Sequence, residues 1–175
     1  MDNNCTNLVS LPFIIELYRK WGNALKKENQ TLLDSKDDGE LSIPVFGHEL
    51  IREILLKDLL GPNSRQVLYW AGKRMARKFP LGSMEEIIEF FNSAGWGNLE
   101  SVKSIKNEYS LMLSGEMVER RFTIDSDCHF QLEAGFLAEQ ISLQKGFNAE
   151  ALEEPKRRAA RVSFLVKLDL KDPIQ

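Results

Sequence analysis

Sulfur chemistry has little to work with in this chain, because Cys5 and Cys128 are its only cysteines. They lie far apart in sequence, one of them near a chain end. That excludes a disulfide framework and fits a reducing compartment. Histidine is equally scarce, at His48 and His129. Long apolar runs are missing too. Near the start the longest is Leu11 to Ile15, broken by Pro12 and followed by Glu16, too short for a signal core or a membrane span. Neither sign of charge dominates: 23 Lys and Arg face 26 Asp and Glu, for a net charge of −3. Such a balance exerts no global pull toward nucleic acid or anionic lipid. There is no G-x-S-x-G elbow and no phosphate-cradling glycine loop. Gly95-Trp96-Gly97 reads as a tight corner instead. The expectation is a cytoplasmic protein with no cofactor and no catalytic role.

What is present suits one domain with an appendage. The chain has 175 residues, 43% of them hydrophobic and 28% charged. That is an ordinary globular composition, with enough chain to bury a core unaided. Residues 1–42 read as an extension. Phe13, Ile14, Leu17, Tyr18, Trp21 and Leu25 share one helical face, and the polar stretch from Asp34 to Glu40 reads as a linker. The face suits either a partner or membrane surface or ordinary packing on its own domain. The domain proper is expected over residues 43–175.

Four helices are predicted in it. Ile51, Ile54, Leu55 and Leu59 make an apolar stripe over 47–60, which Gly61 ends. Leu68, Ala71, Met75 and Phe79 make the next, opened by Pro62 and closed before Pro80. Ser83-Met-Glu-Glu86 has the form of a capping box ahead of Ile87, Ile88 and Phe91, with Gly95 as the stop. Asp125 and Asp127 offer caps for a helix carrying Phe130, Ala134, Leu137, Ala138 and Ile141, closed by Gly146. Between the third and fourth helices, Leu99–Lys106 and Tyr109–Leu113 read as a hairpin, and Met117–Ile124 as a further strand. Last come Ala149–Glu154, a turn at Pro155, and a strand in which Val162, Phe164, Val166 and Leu168 point at a core. Helices covering one face of antiparallel strands make an α+β domain.

Few residues invite chemistry. Asp125-Ser-Asp-Cys-His129 has metal-ligand residue types but no second ligand segment, and capping accounts for both aspartates. Cys128 beside His129 could be a nucleophile if its pKa were depressed at a helix start; a half-buried structural thiol is the alternative. Two basic clusters, Lys73-Arg74 with Arg77-Lys78 and Lys156 to Arg161, suit either an anion patch or solvated surfaces. Aromatic residues are the notable surplus. Trp70, Phe79, Phe91, Trp96, Phe130 and Phe136 suit either the lining of an apolar cavity or a packed core.

Several segments resemble the YslB-like family of uncharacterised cytosolic bacterial proteins. They are HELIREILLKDLLG from His48, YWAGKRMARKFPL from Tyr69, AGWGNL from Ala94, CHFQLEAGFLAEQI from Cys128 and VKLDLKDP from Val166. The likeness runs from about residue 46 to the end. That family is in turn similar to the small subunits of the TRAPP tethering complex, vinyl-reductase-type domains and nitric-oxide-sensing haem domains. The resemblance implies a helical layer over a four-stranded antiparallel sheet, apolar ligand channels in some members and dimers in many. It implies neither acylation nor haem here, since the second and third helices lack a cysteine and no core helix offers a ligating histidine. The combined expectation is a non-catalytic binding or assembly module. It would form a homodimer and hold an apolar small molecule with Trp70, Phe79, Phe91, Trp96, Phe130 and Phe136, without nucleic acid or peripheral membrane contact. An adaptor that docks partners through the N-terminal helix, without ligand, is the alternative; a thiol enzyme using Cys128 is the third.

Overall fold

A computed structural model describes residues 43–174, so the stretch from Phe13 to Leu25 lies outside the described residues. The first element, α1, is one continuous helical run built from Val45–Glu49, a π-helical segment Leu50–Leu55, and Leu56–Leu60. A single 3-10 turn, Gly61–Asn63, joins it to α2, Ser64–Lys78. Helix α3, Met84–Ser93, starts at the expected cap, where the Glu86 amide donates to Ser83 Oγ at 3.2 Å. The reciprocal half of the box differs: Glu86 Oε2 accepts from the Gly82 amide.

The hairpin forms as expected, from β1, Asn98–Ile105, and β2, Glu108–Ser114. The segment after it does not. Glu116–Ile124 is a helix, α4, and not a strand. Val118, Arg121 and Phe122 face inward at i, i+3 and i+4, a spacing that only a helix satisfies. A nine-residue run is short enough for both periods to fit its apolar positions. Helix α5, Gln131–Lys145, follows, and Gly146 closes it in the left-handed conformation at φ 75°. Asp125 and Asp127 do not cap α5. Asp125 Oδ1 accepts from the Asp127 amide in a local turn, and Phe130 holds the cap position.

The last two strands are β3, Phe147–Lys156, and β4, Arg161–Pro173. Pro155 lies inside β3, and the chain reverses at Arg157–Ala160 instead. A proline is tolerated there because β3 is an edge strand. The sheet is fully antiparallel in the order β1-β2-β4-β3. Its inward face carries Leu111, Leu113, Val162, Phe164, Val166 and Leu168, all buried. The four β4 residues have the parity expected of them, and Leu165 points the other way.

Helix α5 is buried nearly all round, from Glu133 to Ser142, because α2 crosses it on one side and the sheet lies on the other. Two glycines permit that crossing. A Cβ on Gly72 would stand 2.1 Å from the Leu132 carbonyl oxygen, and one on Gly135 would stand 1.9 Å from that of Tyr69. The predicted stripe of α2 is only half-buried in consequence, and its innermost residues are Gly72, Lys73 and Ala76. The two backbones touch where larger side chains would hold them apart. Among the described residues, no helix is long and apolar enough to cross a membrane.

Candidate functional site

The predicted stripe of α1 faces the wrong way. Ile51, Ile54, Leu55 and Leu59 are 58%, 51%, 50% and 71% exposed. The face turned to the body carries Glu49, Arg52, Glu53 and Lys57 instead. A helix with an apolar outside and a charged inside is an unusual object. Its polar face reads −, +, −, + in chain order, and the body answers with +, −, +, −. Arg120 Nε donates to Glu49 Oε1 at 2.6 Å, and Arg52 Nη2 to Glu133 Oε1 at 2.5 Å. Arg121 Nε donates to Glu53 Oε1 at 2.6 Å, and Lys57 Nζ to Asp125 Oδ2 at 2.5 Å.

Arg121 is the hub. Besides Glu53 it donates through Nη1 to Glu133 Oε1 at 2.9 Å and through Nη2 to the His129 carbonyl at 2.6 Å. Its guanidinium lies 4.0 Å from the centre of the Phe130 ring, a stacking that suits a weakly hydrated planar cation. Lys57 also reaches Glu53 Oε2 at 3.1 Å. The buried charges therefore cancel in pairs, which is the condition for keeping them ionised away from water. Burial alone would raise the Glu53 carboxyl, yet Arg121 and Lys57 hold it below its ordinary range. Lys57 holds Asp125 low in the same way. Burial lowers His129 to about 4, so its ring is neutral at physiological pH. Its Nε2 lies 3.3 Å from Ser64 Oγ. Among the described residues, His129 Nδ1 and Glu133 Oε2 are buried without a hydrogen-bond partner.

Sequence reasoning missed this network because none of its members forms a motif. The only signal was charge at the i, i+4 positions Glu49, Glu53 and Lys57, inside a helix whose other side is oily.

The aromatic residues divide into three groups. Phe79, Phe90, Phe91, Trp96 and Phe136 meet ring against ring, with centroids 4.6 to 6.1 Å apart, the spacing of mutually packed rings. Phe130 packs on Phe122, 5.5 Å away, beneath Arg121. Trp70 stands apart, 59% exposed on the outer side of α2. It borders a depression of about 420 Å³ with Arg65, Gln66, Tyr69, Gln131 and Ala151. A larger depression, of about 560 Å³, lies on the open face of the sheet. Val102, Met112, Leu152 and Leu165 line it together with Ser110, Ser163, Glu153, Glu154 and Lys156. None of Phe79, Phe91, Trp96, Phe130 or Phe136 lines either one.

Cys128 is buried, and burial pushes its thiol up to about 11. A thiol held so high is a poor nucleophile at neutral pH. The basic clusters are partly spent inside the chain. Lys73 is buried against the Ala149 carbonyl at 3.0 Å and Glu150 at 2.8 Å, and Arg77 donates to Glu139 at 2.5 Å.

A family model described as "Protein of unknown function (DUF2507)" matches residues 45–167. "Uncharacterized protein YslB" of Bacillus subtilis (strain 168) is 47% identical over 135 residues, which span 77% of this chain and 91% of that protein. Among solved structures, a vinyl-4-reductase family protein from Methanocaldococcus jannaschii is similar with a TM-score of 0.59. It shares 16% identity, over 85% of this chain and 94% of that one. At such identity the likeness is one of fold, a helical layer on a four-stranded antiparallel sheet.

Proposed function

The chain belongs to the DUF2507 family, and from that premise we propose that it is a non-catalytic assembly module that pairs with a second copy through the outward face of α1. One observation carries the reading. Between Ile43 and Leu59, eight large apolar side chains are exposed, and Asp58 is the single exposed charged residue among them. A contiguous oily surface of that kind marks an interaction site on a folded domain. A two-fold axis across one helix sets that helix antiparallel to its own copy, and an apolar face whose one charge, Asp58, lies near its end is then complementary to itself. The high Cys128 thiol supports a role without thiol catalysis.

Sedimentation equilibrium of the full chain tests this. The wild type should sediment as a dimer in the micromolar range. Ile54→Glu should weaken pairing by at least about 100-fold, since a carboxylate would be buried in the seam without a partner. Ile54 is half exposed within one chain, so the circular dichroism spectrum should not change. A monomeric wild type, or an Ile54→Glu dimer of undiminished strength, would end the proposal.

A second reading has its own observation. The open-face depression of about 560 Å³ is within the size range of small-molecule sites, and Val102, Met112, Leu152 and Leu165 line it beside Glu153, Glu154 and Lys156. An apolar ligand would lie there, between Met112 and Leu152, and not among the packed rings of Phe91, Trp96 and Phe136. Native mass spectrometry of protein purified from its own host tests it: a retained apolar mass that Leu165→Asp abolishes would support it, and an empty chain would not.

A further inference from the structure

We propose that the outer edge of β3 accepts an acidic, extended peptide of a partner protein as a fifth strand, anchored by an aromatic side chain on Trp70. The site uses no residue of α1 and does not depend on how that helix pairs. Three observations carry it.

The first is the edge itself. In the sheet β3 pairs only with β4, so its other side faces outward. Over the first half of the strand α2 closes that side. Lys73 Nζ donates to the Ala149 carbonyl at 3.0 Å, and the Ala151 amide donates to the Tyr69 hydroxyl at 3.1 Å. Both groups point away from β4. Alternation along the strand turns the Ala151 carbonyl and the backbone amide and carbonyl of Glu153 the same way. Pro155 has the same parity and no amide to offer. Among the described residues, no hydrogen bond caps the Ala151 carbonyl or the backbone of Glu153 on that side. Open groups in this alternation are the template on which an added strand forms.

The second is charge. The open half of β3 runs into the turn Arg157–Ala159. Lys156 and Arg161 stand directly opposite each other across β3 and β4, a placement of like charges that weakens a strand pair. Arg157 and Arg158 follow in the turn, and all four side chains are exposed. Arg65 of α2 reaches the same region: it and Arg157 share Asp127 Oδ1, at 3.2 and 3.6 Å. Glu154 lies 4.0 Å from Lys156, and Glu153 accepts from the Phe130 amide. Arg65, Lys156, Arg157, Arg158 and Arg161 outnumber Asp127, Glu153 and Glu154. A carboxylate set between Lys156 and Arg161 would put attraction where the chain alone has repulsion.

The third is the anchor. Trp70 is exposed beside the depression of about 420 Å³, which Ala151 also lines at the strand edge. Its ring meets that of Tyr69 edge to face at 6.3 Å, and Lys73 Nζ lies 5.5 Å from the one and 5.7 Å from the other. An exposed tryptophan held by its neighbours is the kind of residue that anchors an interface. From Ala151 to Lys156 an extended chain covers about 17 Å, at about 3.3 Å per residue. An antiparallel peptide therefore carries its carboxylates first, beside the basic turn, and its aromatic residue about five places later.

Fluorescence anisotropy with a labelled probe peptide, Glu-Glu-Glu-Val-Thr-Phe with blocked ends, tests the site on the full chain. Binding should saturate and should weaken as salt is raised. Trp70→Ala, and Arg157→Glu together with Arg158→Glu, should each weaken it at least about tenfold. All three side chains are exposed, so the circular dichroism spectrum should not change. Of two probes with alternate amides N-methylated, the one blocked on the side facing β3 should lose binding and the other should keep it. Two methylated probes that both bind like the parent would show that no strand is added, and would overturn the proposal. A probe with lysine in place of glutamate that binds equally well would do the same, as would an absence of saturable binding up to about 1 mM probe. A single-stranded oligonucleotide that binds the basic turn more tightly than the probe would also overturn it, by making the turn a nucleic-acid site.

Discussion

Replacing Gly135 by alanine sets two effects of known sign against each other. Inside a helix, alanine is favoured over glycine by about 1 kcal/mol, so on propensity alone the substitution should stabilise α5. The crossing of α2 and α5 decides otherwise. The new Cβ would stand 1.9 Å from the Tyr69 carbonyl oxygen and 2.8 Å from its carbon, against an ordinary carbon contact of about 3.5 Å. Both obstacles are backbone, so no rotamer relieves them and the helices must separate. Overpacking costs about 1–3 kcal/mol, and an obstacle that cannot turn aside takes the upper end. The net loss is about 2 kcal/mol, a fall in Tm of about 4–8 °C for a chain of this size. Gly47→Ala is the internal control: nothing lies within 4 Å of its Cβ, so it should keep the propensity gain and raise Tm. Calorimetry on both variants reads the two signs. Gly135→Ala melting at or above wild type would refute the close crossing, and with it the account of why α5 is buried all round.

Three further outcomes follow from the charge network and its surroundings. Arg121→Met leaves buried Glu53 without its main counter-ion and Glu133 with Arg52 alone, and should cost about 3–5 kcal/mol in urea unfolding; a loss under about 1 kcal/mol would mean that water reaches those carboxylates. His129 titrates at about 4 in the folded chain against 6.5 for the free ring. Its neutral form therefore contributes stability that is complete above pH 6.5 and is lost as pH falls from there toward 4, at most about 3 kcal/mol. Burial lowers His48 in the same sense and raises Glu153 in the opposite one, so the measurement is the slope between about pH 6.5 and 4.5 that disappears in His129→Asn; an unchanged slope would refute it. Cys128, with its thiol near 11, should be alkylated at about pH 7 at least about 100-fold more slowly than a free cysteine. Peptide mass mapping separates it from Cys5, and rapid labelling would return the thiol to consideration as a nucleophile.

Much of this molecule was legible as spacing. The capping box at Ser83, the hairpin around Lys106 and Asn107, the closure of α5 at Gly146 and the inward parity of β4 are local patterns. Each is decided within a few residues, where propensity and periodicity act. The aromatic residues were legible as a set, though not as neighbours: Phe136 stacks on Phe90, while Trp70 stands on the far side of α2. Met117–Ile124 misled because a short apolar run fits both a period of 2 and one near 3.6 until its neighbours choose.

The oily stripe of α1 shows where spacing stops being enough. Ile51, Ile54, Leu55 and Leu59 establish that this helix has two unlike faces, and no pattern within it says which one meets the body. That was decided by residues far along the chain: Arg121 and Glu133, whose buried charges demanded partners where water is excluded, and the more exposed Arg120 and Asp125, which extend the pairing at either end. The crossing at Gly72 and Gly135 is of the same kind, since a missing side chain matters only when another backbone arrives to fill its place. Amphipathicity and turn chemistry belong to the sequence; the sidedness of α1 and the closeness of α2 to α5 belong to the tertiary structure, because each depends on what distant segments bring to the same point in space.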